Sequence, residues 1–173
     1  ASSDGGDTWR QLPLPAEAGE VWALAVDPQD GSTLWAGVSP AGVWRSSDAG
    51  ATWQRLYQQA GPDPVKMEFN CRVMRFAFDP TDQRRVFAAL DVGGAIRSLD
   101  GGATWDDCCA GLVKLAERPH LKSRIQSDTE NEGMLDAHAI AVSPARPEAV
   151  VLAVRMGLFR STDAGMAWDD MEV

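Results

Sequence analysis

The sequence predicts an all-β chain of repeated four-stranded antiparallel units, the architecture of a β-propeller. Three observations carry this expectation. An eight-residue pattern recurs four times, a strand-and-turn unit stands at a nearly fixed distance ahead of its last three copies, and length variation is confined to one kind of connection.

The octet runs Ser2 to Trp9, Ser46 to Trp53, Ser98 to Trp105 and Ser161 to Trp168, with the common pattern S-x-D-x-G-x-x-W. Arg45, Arg97 and Arg160 precede the last three copies. Its residue types are those of a hairpin turn. Asp4, Asp48, Asp100 and Asp163 are placed to accept hydrogen bonds from turn N–H groups, and the Gly two positions later supplies a positive φ. Trp9, Trp53, Trp105 and Trp168 then open a returning strand with a large apolar face. A catalytic centre is not copied once per repeat, so these Asp residues read as structural.

Leu24-Ala25-Val26-Asp27-Pro28, Phe76-Ala77-Phe78-Asp79-Pro80 and Ile140-Ala141-Val142-Ser143-Pro144 each read as a short strand stopped by a turn, since proline cannot donate to a ladder. Thr33 to Val38, Arg85 to Leu90 and Ala149 to Val154 follow as apolar second strands, with Ala36, Ala88 and Ala153 at one offset. Val43-Trp44, Ala95-Ile96 and Leu158-Phe159 lead into the next octet as a third strand, and the octet Trp begins a fourth. From Pro to octet Asp the spacing is 20, 20 and 19 residues, whereas from octet Trp to the next Pro it is 19, 27 and 39. Insertions therefore fall between the outer strand of one unit and the inner strand of the next. The expected units are 21–57, 73–106 and 138–173, with 1–20 as the end of another and 58–72 and 107–137 as inter-blade insertions. Three blades and part of a fourth do not close a ring, so the expected partners include further blades of a longer chain or a second copy.

The octet resembles the Asp-box, or bacterial neuraminidase (BNR) repeat, of sialidases, xyloglucanase-type glycoside hydrolases, sortilin-like receptors and photosystem II assembly factors. The chain is most similar to bacterial BNR-repeat or glycosyl-hydrolase-like proteins. The resemblance implies octet turns at the outer rim of one face, and insertions on the opposite face around a central channel, where ligands bind. Fold alone transfers no chemistry.

On that face the longer insertion is chemically dense: Arg118, His120, Lys122 and Arg124 precede Asp128, Glu130, Glu132 and Asp136, with His138 opening the next inner strand. Three readings fit it: a solvated loop paired internally, a pocket for a small charged ligand, or a metal site on His120, His138 and a carboxylate. The spacing of the two histidines is not a ligand motif by itself. Asp91 and Arg155 occupy equivalent turns between second and third strands, and Arg72 precedes an inner strand. The candidate ligand-binding set is Arg72, Asp91, Arg118, His120, Arg124, Glu132, Asp136, His138 and Arg155. The two arginines beside the channel are placed for bidentate bonds to a carboxylate or for rim ion pairs. No metal or other cofactor is implied.

The sialidase pattern of an arginine triad and a Tyr nucleophile is not met, because the single tyrosine, Tyr57, follows an octet strand. A glycosidase needs two carboxylates about 5 or 6.5 to 9.5 Å apart, for which Asp91 with Glu132 or Asp136 are candidates. The tryptophans are absorbed by octets and strands, Trp22, Trp35 and Trp44 included, so the sequence leaves no aromatic platform for sugar. The first reading is a non-catalytic propeller that binds a small molecule or protein through channel-face loops; the alternative is an Asp-box glycoside hydrolase.

With 173 residues, 45% hydrophobic and 24% charged, the chain has ordinary globular composition. Its net charge of −9 disfavours nucleic acid and anionic membrane surfaces as partners. Its longest apolar run is far short of a membrane span. Cys71, Cys108 and Cys109 are an odd set whose close pair is adjacent, which reads as free thiols and leans toward a reducing, cytoplasmic compartment.

Overall fold

The computed structural model describes residues 1–172. It holds three four-stranded antiparallel sheets, each meandering in sequence order. The first comprises β1 (Glu20–Val26), β2 (Leu34–Ser39), β3 (Gly42–Ser46) and β4 (Gln54–Gln58). The second comprises β5 (Arg72–Phe78), β6 (Val86–Asp91), β7 (Gly94–Ser98) and β8 (Asp106–Asp107). The third comprises β9 (Ala137–Ser143), β10 (Arg146–Val154), β11 (Gly157–Ser161) and β12 (Asp169–Asp170). This is the β-propeller architecture that the repeat predicts, with β1, β5 and β9 as inner strands.

The octet closes the hairpin between third and fourth strands through side chains. In the second copy the Ser46 hydroxyl donates to Asp48 at 2.7 Å and accepts from the Gly50 N–H at 2.8 Å, while the Thr52 N–H and hydroxyl donate to the Asp48 carboxylate at 2.8 and 2.6 Å. The copies at Asp4 and Asp100 repeat this set. At Asp163 the threonine is replaced by Ala167, so that hydroxyl donor is lost, while the Ser161 hydroxyl and the N–H groups of Met166 and Ala167 still donate. Two successive residues are left-handed in each turn, Ala49 at φ 54° and Gly50 at 85° in the second. The predicted glycine is thus one of a pair, and the first place tolerates alanine.

Sheets pack face to face through aromatic and β-branched side chains. Trp35 of β2 meets Phe76 and Phe78 of β5, with ring centroids 6.2 and 5.8 Å apart. Phe87 of β6, Ile140 of β9 and Leu152 and Phe159 of the third sheet continue the same core. Gly37 lets β2 approach β5, since a Cβ there would lie 2.5 Å from Val73. The arginines ahead of the second and third octets stitch neighbours together. Arg45 donates to the Gly101 carbonyl at 3.1 Å, and Arg97 to the carbonyls of Asp163 and Ala164 at 3.2 and 2.8 Å.

Two expectations need correction. Residues 1–19 form no sheet strand among the described residues. The chain after Trp9 instead pairs locally, Arg10 N–H donating to the Ala1 carbonyl at 2.7 Å, and Leu14 packs against Ala36, Val38 and Trp44 on the back of the first sheet. Trp9 is therefore exposed, with no facing sheet to seal against, although its indole still donates to the Gly6 carbonyl. The longer insertion is not an irregular loop: it contains α1 (Ala110–Leu115) and α2 (Glu132–Leu135), which bury Leu112, Leu115, Met134 and Leu135. All three cysteines are free and buried, and burial pushes the Cys71 and Cys108 thiols up to about 12.

Candidate channel-face site

The start of each inner strand lies opposite the end of its second strand. In the first sheet this pairs Glu20 with Ser39, and in the second it pairs Arg72 with Asp91. In the third, Asp136 immediately precedes β9 and Arg155 immediately follows β10, and the Arg155 N–H donates to the Asp136 carbonyl. The second and third sheets thus carry one ion pair at the same register with its polarity reversed. The Arg72 guanidinium reaches Asp91 at 2.6 Å, and that of Arg155 binds Asp136.

Reversal has a chemical consequence, because it brings two buried acids together. Asp91 is 6% exposed and Asp136 fully buried, and the two carboxyls are near enough for Asp91 to disfavour the charged form of Asp136. Burial, and then the neighbouring Asp91, push the Asp136 carboxyl above the ordinary carboxylate range, while His138 and Arg155 pull the other way. The His138 ring nitrogen lies 3.1 Å from Asp136. Two like charges this close favour retention of one proton between them.

Glu132 stands beside this group but has a different task. Its fully buried carboxylate accepts from the N–H groups of Ile125, Gln126 and Ser127 and from the Ser127 hydroxyl, at 2.8 to 3.1 Å for the best contact of each donor. Burial would raise its pKa, yet these donors outweigh burial and hold it at about 2. Arg155 lies 3.7 Å away. Glu132 is the internal cap of the insertion, with its acceptor capacity largely used, so it is a poor ligand for anything else.

Of the nine candidate residues, Arg72, Asp91, Glu132, Asp136, His138 and Arg155 come together; Arg118, His120 and Arg124 do not. His120 contacts Asp170 next to the outer strand β12 at 3.4 Å, and Arg118 lies on the same side, in the surroundings of Trp168. Arg124 is exposed near the Lys122–Glu130 pair. The two histidines have different partners, Asp170 and Asp136, and among the described residues no group of three or more His, Cys, Asp and Glu is arranged to hold an ion. A cleft of about 770 Å³ opens between the two insertions, lined by Asp63, Lys66, Met67, Glu68, Gln126 and Asp128 among others.

Sequence reasoning missed Trp22. It was absorbed into the strand pattern of β1, yet it is 44% exposed, with the Arg72 guanidinium 4.0 Å from its ring centroid and that of Phe69 4.3 Å from the same guanidinium. An aromatic platform does stand beside the carboxyl pair. Counting back from Pro28, Pro80 and Pro144 would have aligned it with Met74 and His138, two places beyond Glu20, Arg72 and Asp136. Tyr57 lies on the outer strand β4 against Trp105, and burial pushes its phenol up to about 12, which suits no nucleophile.

Fold and site together define a β-propeller with a buried acid pair where the inner strands of its second and third sheets begin. Among curated proteins, a xyloglucanase from a Paenibacillus species is 35% identical over 128 residues, covering 60% of this chain and 12% of the relative. The xyloglucanase Xgh74A of Acetivibrio thermocellus is 31% identical over 127 residues, again 60% of this chain and 15% of the relative. The chain thus spans about an eighth to a seventh of the curated relatives it matches. No family model matches it. Among solved structures, YCF48 from Cyanidioschyzon merolae superposes with a TM-score of 0.62 at 18% identity, covering 94% of this chain and 42% of that one. A GH74 enzyme from Niastella koreensis gives 0.58 at 18% identity, covering 88% and 22%. At such identities these likenesses establish the fold.

Proposed function

We propose that the chain is an Asp-box propeller of the glycoside-hydrolase kind, and that its channel face presents an acid centre to a polysaccharide of the xyloglucan class. The observation that carries this reading is the buried Asp91–Asp136 pair, ringed by Arg72, Arg155 and His138 and flanked by an exposed tryptophan. The Ser–Asp–Thr turn, made in three copies, supports reading the octet as an Asp-box. The names of the relatives support the substrate class.

The pair works as one centre. Carboxyls near enough to share a proton are closer than the roughly 5 Å of a retaining pair or the 6.5 to 9.5 Å of an inverting one. They therefore do not divide into acid and nucleophile. The proton held on Asp136 goes to the glycosidic oxygen as its bond to the anomeric carbon breaks, water adds to that carbon and returns a proton to the carboxyl, and Arg155 compensates Asp136 in between. Arg72 and Arg155 hold the two carboxyls, each through its own sheet.

The same closeness favours a second reading, a binding propeller without catalysis, in which the acids accept hydrogen bonds from sugar hydroxyls. Release of reducing ends from xyloglucan, measured beside calorimetric binding of its oligosaccharides, separates the two. Hydrolysis by the native chain that falls at least about 100-fold in Asp91→Asn, the scale of general acid catalysis, supports the enzyme. Binding without hydrolysis supports the module, and neither binding nor hydrolysis overturns both.

A further inference from the structure

Each inner strand carries a β-bulge at the same place. In β1, Val21 pairs with Val38 and Ala23 with Gly37, so Trp22 is the extra residue. In β5, Val73 pairs with Leu90 and Ala89 with Arg75, leaving Met74. In β9, Ala137 pairs with Val154 and Ala139 with Ala153, leaving His138. A bulge releases one residue from the in-and-out alternation of its strand and re-aims the side chain. One released side chain per blade, at one register, forms a row across neighbouring inner strands, directly beyond the level of Glu20, Arg72 and Asp136.

We infer that Trp22, Met74 and His138 form a single recognition row, with Trp22 as the stacking platform for one pyranose ring of a neutral polysaccharide. The inference rests on the glycan reading above and names the residues of this chain that select the ligand. Bulges also serve merely to coil a strand, but that role is indifferent to the side chain released. Trp22 is a large apolar side chain that the core does not absorb: it is 44% exposed and belongs to neither buried cluster. Arg72 covers part of its ring and leaves the remainder to solvent. His138, with a side chain 53% exposed, turns one ring nitrogen to Asp136 and keeps the rest of the imidazole accessible.

The chemistry of the row selects the ligand. A pyranose is a disc with apolar C–H faces and a rim of hydroxyls, which matches an indole flanked by a guanidinium, an imidazole and carboxyls. Charge argues for a neutral sugar. Arg72 and Arg155 are already committed to Asp91 and Asp136, so an anionic ligand must displace those ion pairs and meets two acids.

Isothermal titration of the chain with soluble xyloglucan oligosaccharides tests this, using the native protein, Trp22→Ala, Trp22→Phe and His138→Ala, with melting temperature as the control for folding. Trp22→Ala is expected to weaken binding by about 10-fold or more, a step of about 1.4 kcal/mol, while Trp22→Phe keeps most of the affinity and both melt close to the native protein. His138→Ala is expected to weaken binding less. Native-like affinity in Trp22→Ala overturns the platform while leaving the glycan reading in place. Equal loss of melting temperature and affinity in both Trp22 variants also overturns it, by making Trp22 structural. If the native chain neither binds nor hydrolyses the oligosaccharides, the glycan reading fails and the platform with it.

Discussion

Acidic side chains in this protein meet opposite fates, decided by what surrounds each carboxyl. In the octets the turn supplies donors, and those of Thr52 and Thr104 together with Ser46 and Ser98 hold Asp48 and Asp100 at about 2. Such a lowered group adds stability above its unfolded value of about 3.9, and that contribution is lost as pH falls through about 2. Asp136 has the reverse sign: its raised value means that stability is fully present below about 3.9 and lost as pH rises through the folded pKa. Thermal melts from pH 2 to 8 should therefore show wild type gaining on Asp136→Asn as pH falls. The same melts should show wild type losing ground to Asp48→Asn between pH 4 and 2. A pH-independent difference in either comparison contradicts the assignment. The octet role was legible in the sequence because Asp48 and Thr52 are four residues apart. The meeting of Asp91 with Asp136 was not, since 45 residues and an insertion separate them and only sheet packing closes the gap.

At the scale of elements, repeat spacing located every sheet to within a few residues, because each strand is bounded by a local signal such as Asp27-Pro28 or an octet. The insertion obeys no such signal. Its order depends on Glu132 gathering the amides of 125–127 and on α1 and α2 covering the core, both of them long-range facts. The bulges escaped notice for a related reason, since one extra residue in a strand leaves apolar composition unchanged. The arginines ahead of the octets were visible as a pattern, though their task was not. Arg97 has a side chain only 12% exposed and serves two carbonyls of the neighbouring sheet, while Arg160, at the same register, is exposed. Urea titration should accordingly show Arg97→Ala destabilised by about 1 to 3 kcal/mol, the scale of losing hydrogen bonds from a charged donor. Arg160→Ala should stay within about 0.5 kcal/mol of the parent. Equal losses for the two would remove the stitch between sheets as a source of stability.

Across the whole molecule, each blade buries the apolar side of its inner strand against the blade before it, and the first sheet leaves that side open. Aligned on their Pro turns, Leu24, Phe76 and Ile140 occupy one position, with exposures of 65%, 8% and 5%. Val26 is 55% exposed, whereas Phe78 at its position packs on Trp35. Val21 enlarges the open area. Soluble monomers carry such patches up to a few hundred Å², and larger ones mark association. The face has the register of a blade interface, so its complement is the second-strand face of another blade, as Trp35 and Phe87 provide within the chain. The isolated chain is therefore expected to bind a hydrophobic dye and to self-associate with rising concentration in light scattering coupled to size exclusion. Leu24→Lys with Val26→Lys should suppress both effects with little change in melting temperature, because neither side chain contributes to the existing core. A monomer of 18.6 kDa that binds no dye across the concentration range would show that this face is tolerated by solvent as it stands.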